Sequence, residues 1–456
     1  MCECAYGYPG GEGRVTLRFA QDSRAVIKQR TLLEGNGYRR TTLDNGLRIV
    51  TETMPSTRSV AVSLYVGAGS RYETPEEAGI SHLLEHLVFK GTTKRPTAQQ
   101  ISELIDGVGG VLNAGTDREL TVYYAKVARP HFDRAADVLT DMMRDPLIAA
   151  EELEKERRVV IEELASIADS PAQLVDVLLD ATMWPDQPLG RDVAGTEASV
   201  TALSREAALD YLHRQYVPNN MVVSVAGAIE HGEVVQFMEH ALADWQRGTP
   251  SAWFPAVNGQ SSSRVAVMYK KTEQAHIEIA VTAISSQDPD RFPLDLISVI
   301  LGEGMSSRLF MELREKRALC YDVHSYASHY LDTGAFAVYA GVDPKKTLEA
   351  TAALIEELAR MRDGVSEEEL TKAKELSKGR LLLRMEDTRS VSGWLGGQEM
   401  LNGFIRTPDE IVALIDAVTV ADARRVAAKL FDHKQMTMAL VGPFRSDKRF
   451  TKLLQN

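Results

Sequence analysis

Two histidines four residues apart, with a glutamate just before the second, are the residues of this sequence best suited to chemistry. They are His82, Glu85 and His86, in the segment ISHLLEHLVFKGT at 80–92. A helix ending at Gly91 fits the apolar spacing of this segment and places both imidazoles on one face, one turn apart. Such a pair can bind one tetrahedral ion, and Glu85 on the same face could reach water bound to that ion. The segment therefore predicts a catalytic zinc site.

The third ligand of such a site has to come from elsewhere in the chain. A catalytic zinc takes three protein ligands and leaves one position open for water. The predicted helix over residues 149–169 carries six glutamates, namely Glu151, Glu152, Glu154, Glu156, Glu162 and Glu163. Glu156 and Glu163 lie seven residues apart and therefore share one face of that helix. Helical spacing alone does not choose between Glu162 and Glu163 as the third ligand.

Length, composition and charge limit the classes of function. The chain has 456 residues, enough for two or three domains, and its 44% hydrophobic and 25% charged residues are typical of a globular protein. No apolar run approaches about eighteen residues, so we expect no membrane span and no membrane partner. The net charge of −12 argues against a nucleic-acid partner.

The cysteines indicate the compartment. Only Cys2, Cys4 and Cys320 occur, which rules out a four-cysteine zinc site and is typical of a reducing environment. We therefore expect a cytoplasmic protein. The mitochondrial matrix is the alternative, because residues 14–30 are basic, as in a transit peptide. A loose extension over residues 1–39 is favoured over a targeting segment, since a transit peptide would contain more serine.

Two halves of similar pattern follow this extension. Residues 246–263 are rich in Gly, Pro and Ser and predict a linker between a domain at 40–245 and a second domain at 264–456. Segments 200–229 and 418–444 both read Val-Thr, then an Ala-rich helix, then an apolar strand that stops at a glycine. This similarity predicts an internal duplication, with convergent helix–strand patterning as the alternative.

The elements that would position the histidines follow from local patterns. The sequence predicts strands at 59–70, 111–115 and 120–128, and helices at 97–110, 131–145 and 149–169. Thr97 and Gln100 form a capping box at the start of one helix, and Asn45-Gly46 marks a tight turn. Strands followed by helices, in both halves, predict an α+β fold of two duplicated domains, each with a mostly antiparallel sheet packed against helices.

The segments HLLEHLVFKGT and ERRVVIEEL resemble the pitrilysin and insulysin family of zinc peptidases, whose inverted motif is H-x-x-E-H. The resemblance covers about residues 40–445. It is closer to the two-chain branch, which includes the β subunit of mitochondrial processing peptidase and bacterial homologues. The spacing in that family implies Glu163, 77 positions after the second histidine, as the third ligand. The resemblance also implies that Glu156 supports the ligands from behind, and that Asn113 and Ala114 lie on an edge strand that pairs with substrate.

The second half has no H-x-x-E-H motif and is expected to be catalytically silent. It contains a predicted helix, SSRLFMELREKR at 306–317, before a strand beginning near Tyr321. The resemblance implies that Arg314 and Tyr321, seven residues apart, hold the substrate carbonyl near the zinc. Family peptidases enclose substrate in a chamber of four related domains, and this chain supplies two. The resemblance therefore implies a clamshell dimer in which these two residues serve the partner's site, either a homodimer or a heterodimer with a zinc-less homologue.

Together these expectations describe a zinc metalloendopeptidase with one Zn²⁺ per chain and a peptide substrate. Zinc on His82, His86 and Glu163 would polarise the scissile carbonyl, and Glu85 would take a proton from the attacking water. One alternative is a non-catalytic scaffold or partner subunit of the same fold, related to respiratory-complex core subunits. Another is a metal hydrolase acting on a different bond. The intact motif favours the peptidase, because the related scaffolds commonly have eroded ligands.

Overall fold

Two β-sheets and the helices that cover them make up this computed structural model, which describes Leu33–Glu34 and residues 37–455. Nearly all of the predicted N-terminal extension, with Cys2 and Cys4, lies outside the described residues. Among the described residues, no helix is both long enough and apolar enough to cross a membrane.

The strands form one sheet in each half of the chain. In chain order they are β1 (Leu33–Glu34), β2 (Arg39–Thr42), β3 (Arg48–Thr53), β4 (Ser59–Val66), β5 (Val111–Thr116), β6 (Thr121–Ala128), β7 (Met221–Gly227), β8 (Arg264–Tyr269), β9 (Ala275–Thr282), β10 (Cys320–His329), β11 (Gly334–Val342) and β12 (Thr437–Gly442). The first sheet has the order β1-β2-β3-β7-β4-β6-β5, and the second has the order β10-β11-β9-β12-β8.

Helices lie between the strands in both halves of the chain. They are α1 (Ile80–Leu87), α2 (Ala98–Asp106), α3 (Phe132–Arg144), α4 (Ala150–Asp169), α5 (Pro171–Met183), α6 (Glu197–Ala202), α7 (Arg205–Gln215), α8 (His231–Leu242), α9 (Arg291–Gly302), α10 (Thr347–Asp363), α11 (Glu367–Arg384), α12 (Thr388–Asn402), α13 (Pro408–Ala417), α14 (Val420–Leu430) and α15 (Lys448–Gln455). The predicted helix at 306–317 is a π-helix over Phe310–Lys316. Thr97 and Gln100 form the expected capping box of α2.

The two halves have the same topology, and the α+β fold is confirmed. The order β3-β7-β4-β6-β5 corresponds to β8-β12-β9-β11-β10. β7 lies between β3 and β4, and β12 lies between β8 and β9. Each of these two strands is parallel to one neighbour and antiparallel to the other. The similar sequence segments correspond to α7–β7 and α14–β12, so they occupy equivalent places. Residues 246–263 connect α8 to β8 and contain no helix or strand.

Each sheet is covered on one face by a helix from the other half of the chain. α5 packs on β9 and β12, whereas α12 packs on β4 and β7. The α12 contact is close: the hydroxyls of Ser63 and Ser392 lie 2.8 Å apart, and a β-carbon added to Gly396 would lie 2.2 Å from the ring of Tyr65. Because both faces of the first sheet are covered, β4 is buried continuously from Val60 to Val66.

A buried pair of carboxyl groups lies where α5 meets the second sheet. Glu278 of β9 is fully buried, and the Tyr326 hydroxyl donates a hydrogen bond to its Oε1 over 3.0 Å. Asp176 of α5 is hydrogen bonded to Glu278 as well. Burial and then the charge of Asp176 raise the pKa of Glu278 well above its usual range. Two acidic side chains thus meet at the interface, in surroundings that favour the protonated form of Glu278.

Arg71 ties three segments together. Its buried guanidinium donates to Glu119 Oε1 at 2.6 Å and to Asp332 Oδ1 at 2.8 Å. It also donates to the carbonyl oxygen of Phe254 at 3.0 Å, and its Cζ lies 4.6 Å from the centroid of the Trp253 ring. Glu119 lies in the turn between β5 and β6, and Asp332 lies in the turn between β10 and β11. The two equivalent hairpins are thus joined to each other and to the linker through one cation.

Candidate metal centre

α1 carries His82, Glu85 and His86. Its apolar side chains are fully buried in the core of the first half, which leaves the three polar side chains on the partly exposed side: the buried residues are Ile80, Leu83, Leu84 and Leu87. The helix ends at Leu87, earlier than predicted, and a single 3₁₀ turn continues the path to Gly91. Gly91 has φ of 135°, a conformation that favours glycine, so the predicted stop is in place.

The start of α1 is held by a residue that sequence analysis missed. Thr74 caps a separate short turn at Pro75–Glu77 and not α1. Instead, the carboxylate of Glu73 accepts hydrogen bonds from the backbone amides of Gly79 and Ser81, both at 2.9 Å. Glu73 is 1% exposed, so these amides are its replacement for water. An acid ahead of a helix start was the only sequence signal for this role.

The side chains of His82, His86 and Glu163 converge, with one ligand atom from each lying within 4.8 Å of the others. Oε2 of Glu163 lies 3.8 Å from Nε2 of His82 and 3.7 Å from Nε2 of His86. Atoms bound to one tetrahedral zinc ion are about 3.4 Å apart. The distances are thus too long for hydrogen bonds and close to those of ligands around one ion. Glu162, which helical spacing left open, is exposed and lies outside this cluster.

Glu156 lies behind His86. Its Oε2 is 3.1 Å from Nδ1 of His86, and its Oε1 forms an ion pair with Lys90 Nζ at 2.8 Å. Only 7% of its side chain is exposed. A proton on Nδ1 directed at this carboxylate leaves the lone pair on Nε2, the atom that faces Glu163. The arrangement therefore selects the tautomer of His86 that a metal requires.

The electrostatics of α1 favour neutral histidine and a basic carboxylate. Burial, and then the neighbouring His86, lower the pKa of His82 to about 4, so this imidazole is neutral at pH 7. Burial raises the pKa of Glu85, against the opposing effect of its hydrogen bond with Thr116. Within the described residues, Oε2 of Glu85 is buried and has no hydrogen-bond partner. Such an atom is suited to accept a proton or a hydrogen bond from a bound molecule.

β5 runs beside this cluster as the free edge of the first sheet. It pairs only with β6 in the described structure, and its last residue, Thr116, lies close enough to Glu85 to lower the pKa of that carboxyl group. Asn113 is exposed and lies opposite Tyr124, whereas Ala114 is half-buried and lies opposite Tyr123. The backbone of this strand is therefore open to an added strand on one side.

Arg314 and Tyr321 lie apart from the metal cluster. The guanidinium of Arg314 stacks on the rings of Phe310 and Tyr321, with distances of 4.7 and 4.6 Å to their centroids. Tyr321 is 75% exposed. No hydrogen bond or ring contact joins either residue to His82, His86 or Glu163 in the described part of one chain. The single chain thus assembles the metal ligands without these two side chains.

Two family models match successive parts of the sequence. The insulinase family, peptidase family M16, matches residues 48–197, which include the whole metal cluster. The inactive domain of peptidase M16 matches residues 202–377, which include Arg314 and Tyr321. The division agrees with a metal centre in the first half only.

Individual relatives match almost end to end. An uncharacterized zinc protease of Streptomyces coelicolor is 37% identical over 451 residues, covering 96% of this chain and 97% of the relative. An uncharacterized zinc protease of Bacillus subtilis is 36% identical over 408 residues, covering 89% and 98%. A protease from Helicobacter pylori has the same fold, with a TM-score of 0.83 at 24% identity over 89% of this chain and 99% of the other.

Proposed function

This chain belongs to the insulinase family of peptidases, family M16, and on that premise we propose that it is a zinc metalloendopeptidase. The observation that carries the proposal is the convergence of His82, His86 and Glu163 beside the free carboxylate oxygen of Glu85. Relatives that match nearly the whole chain are named zinc proteases, which supports a peptidase that uses zinc.

The donor set fits zinc. Two neutral imidazoles and one carboxylate are the ligands of a catalytic zinc with an open position, and their spacing suits one tetrahedral ion. When bound, zinc supplies Lewis-acid chemistry, polarising a peptide carbonyl and making water more acidic. Glu85 then accepts the proton of the attacking water and delivers it to the departing amine. Glu156 accepts the hydrogen bond of Nδ1–H of His86, and Lys90 forms an ion pair with the other oxygen of Glu156.

The substrate is an extended peptide or a short unfolded segment. We propose that it adds as a strand to β5 along Asn113 and Ala114, because that edge is open and its end contacts Glu85. A backbone-paired substrate would be chosen mainly by its ability to lie extended. Peptide length would therefore matter more than a single residue type.

The complete enzyme in this proposal is a clamshell dimer that encloses a chamber. Arg314 and Tyr321 of one chain would hold the substrate carbonyl at the partner's metal centre. This is supported by the exposure of Tyr321 and by the lack, among the described residues, of any hydrogen bond or ring contact between these two side chains and the cluster of their own chain. Mixing His82→Ala chains with Tyr321→Phe chains tests this arrangement. Exchanged dimers pair one intact metal centre with one intact tyrosine, so activity should return. No recovery despite proven subunit exchange would contradict it.

The central test uses zinc-loaded protein and a mixed peptide library followed by mass spectrometry. We expect cleavage that chelation abolishes. Glu85→Gln should keep one zinc per chain and lower kcat at least about 100-fold, because it removes the proton acceptor and keeps the metal ligands. Glu163→Gln should lose zinc, whereas the matched control Glu162→Gln should keep both zinc and activity. A library left intact by the zinc-loaded wild type would refute the peptidase.

A non-catalytic scaffold or partner subunit of the same fold is the alternative. It would bind zinc or peptide without turnover in the library assay. A hydrolase of another bond would lose its activity in Glu85→Gln yet spare every peptide. The relatives named above are bacterial, and action in the cytoplasm stays part of the proposal.

A further inference from the structure

The two faces of β5 lead to different surroundings. Residues directly opposite each other in an antiparallel pair project to the same face of the sheet. Ala114 and Leu112 lie opposite Tyr123 and Ala125, which belong to the core that includes α1. The alternate residues Val111, Asn113 and Gly115 lie opposite Lys126, Tyr124 and Val122, on the face that α12 covers. A strand added to β5 would direct every second side chain to each face.

The α12 face beside β5 carries a stacked arginine. Cζ of Arg389, in the first turn of α12, lies 3.6 Å from the centroid of the Tyr124 ring. Its guanidinium also contacts the hydroxyl of Tyr65. Among the described residues no carboxylate forms an ion pair with Arg389, and its buried Nε has no hydrogen-bond partner. This cation is thus held in place by aromatic rings, and no carboxylate of the described residues neutralises it.

Neighbouring charges leave that cation available. Lys126 is paired with Asp387, whose second oxygen accepts the amide of Ser390 at 2.9 Å. Two more charged residues lie nearby in sequence, and both are exposed. Arg384 is the last residue of α11, and Glu386 is the other acid, besides Asp387, between α11 and α12. Of the three β5 residues on this face, Asn113 and Gly115 have a short side chain or none, and Arg389 itself is only half-buried. Two strand spacings, about 10 Å, separate that strand from β6.

We propose that Arg389, stacked on Tyr124, selects acidic side chains at those alternate substrate positions that face α12. This specificity rests on the proposed function, since it takes the substrate to lie along β5. A charge-assisted hydrogen bond between the guanidinium and an aspartate or glutamate would neutralise this cation. Side chains of the other parity face α1 and are not selected by charge in this way.

The test is a set of fluorogenic peptides that are identical except for Glu or Gln at each of six successive positions. With zinc-loaded wild type, kcat/KM should be about tenfold higher for Glu than for Gln at every second position, the size of one charge-assisted contact. Arg389→Gln should reduce that ratio to about 1. Arg445→Gln is the matched control, because Arg445 stacks on Tyr269 in the second sheet at 4.4 Å, and it should keep the ratio.

Binding of the same peptides to zinc-loaded Glu85→Gln, measured by fluorescence anisotropy, separates this proposal from the peptidase. Cleavage without a Glu preference, or with one that Arg389→Gln leaves intact, overturns the specificity and leaves the peptidase standing. If no peptide is cleaved but the Glu peptides bind more tightly in a way that depends on Arg389, the peptidase is refuted and the selection of acidic side chains is supported. Neither cleavage nor an Arg389-dependent difference in binding overturns both.

Discussion

Replacing Arg71 with Met should destabilise the protein far more than removing an arginine from a surface pair. The substitution keeps most of the apolar side chain but removes the cation shared by Glu119 and Asp332, whose side chains are 7% and 23% exposed. Breaking a buried ion pair on one side typically costs about 3–5 kcal/mol, because the remaining charge stays desolvated. We expect a loss in this range in the free energy of unfolding. Arg71 is the residue through which both hairpins and the linker are joined.

Urea unfolding of the metal-free protein at pH 7, followed by circular dichroism, measures this loss. Arg144→Met is the matched control, since Arg144 makes a two-point pair with Asp244 at the surface, where side-chain exposure is 30% and 71%. That pair should contribute less than about 1 kcal/mol. If Arg71→Met cost no more than this control, the buried network would not be what joins the two halves.

The pH dependence of the Arg71→Met effect provides an internal check. Burial already raises the pKa of Glu119, and Arg71 opposes that shift. Without the arginine, the folded-state pKa of Glu119 rises further. The variant's deficit should therefore grow as pH rises through that pKa and shrink at pH 5, where a protonated Glu119 is better tolerated. A deficit independent of pH would mean that lost packing, not charge, explains the effect.

Three further outcomes follow from the same reasoning. Glu156→Gln should weaken zinc binding by about 10- to 100-fold in competition with a chelating dye, because His86 loses its carboxyl partner at Nδ1. Unchanged affinity would contradict that role. Gly396→Ala should lower the free energy of unfolding by about 1–3 kcal/mol in thermal unfolding, because the added β-carbon meets the Tyr65 ring. Gly397→Ala, where the added β-carbon points into open space, should be neutral or stabilising. Equal effects of the two substitutions would refute the close α12 packing. The pKa of Glu278 is raised in the folded state, so its ionisation destabilises the fold as pH rises. Glu278→Gln should therefore raise Tm at pH 8 but not at pH 5. A rise in Tm at pH 5 but not at pH 8 would refute the raised pKa.

Local patterns were sufficient for the elements and for part of the site. The capping box at Thr97 depends only on neighbours in sequence and is found as predicted. The four-residue spacing of His82 and His86 brings both imidazoles to one side of α1, and their role as metal ligands stays a prediction. Glu163 was singled out by family resemblance, because helical spacing alone does not distinguish it from Glu162. The structure adds the distance that places Glu163 near both histidines.

Residues bonded to backbone amides and residues that act over long sequence separations escaped prediction. Glu73 was missed because its partners are backbone amides, which carry no sequence signature. Arg71 and Arg389 were missed because their partners, Asp332 and Tyr124, lie more than 200 positions away. The early end of α1 at Leu87 reflects a 3₁₀ turn that apolar spacing does not distinguish from an α-helix.

The reciprocal placement of α5 and α12 has a consequence for the independence of the two halves. One face of each sheet is covered by a helix of the other half, and the two helices are equivalent because they follow α4 and α11. This is the geometry of a domain-swapped dimer whose two subunits are joined through residues 246–263. A half-length chain of this fold would bury the same sheet faces only by pairing with a second half-length chain.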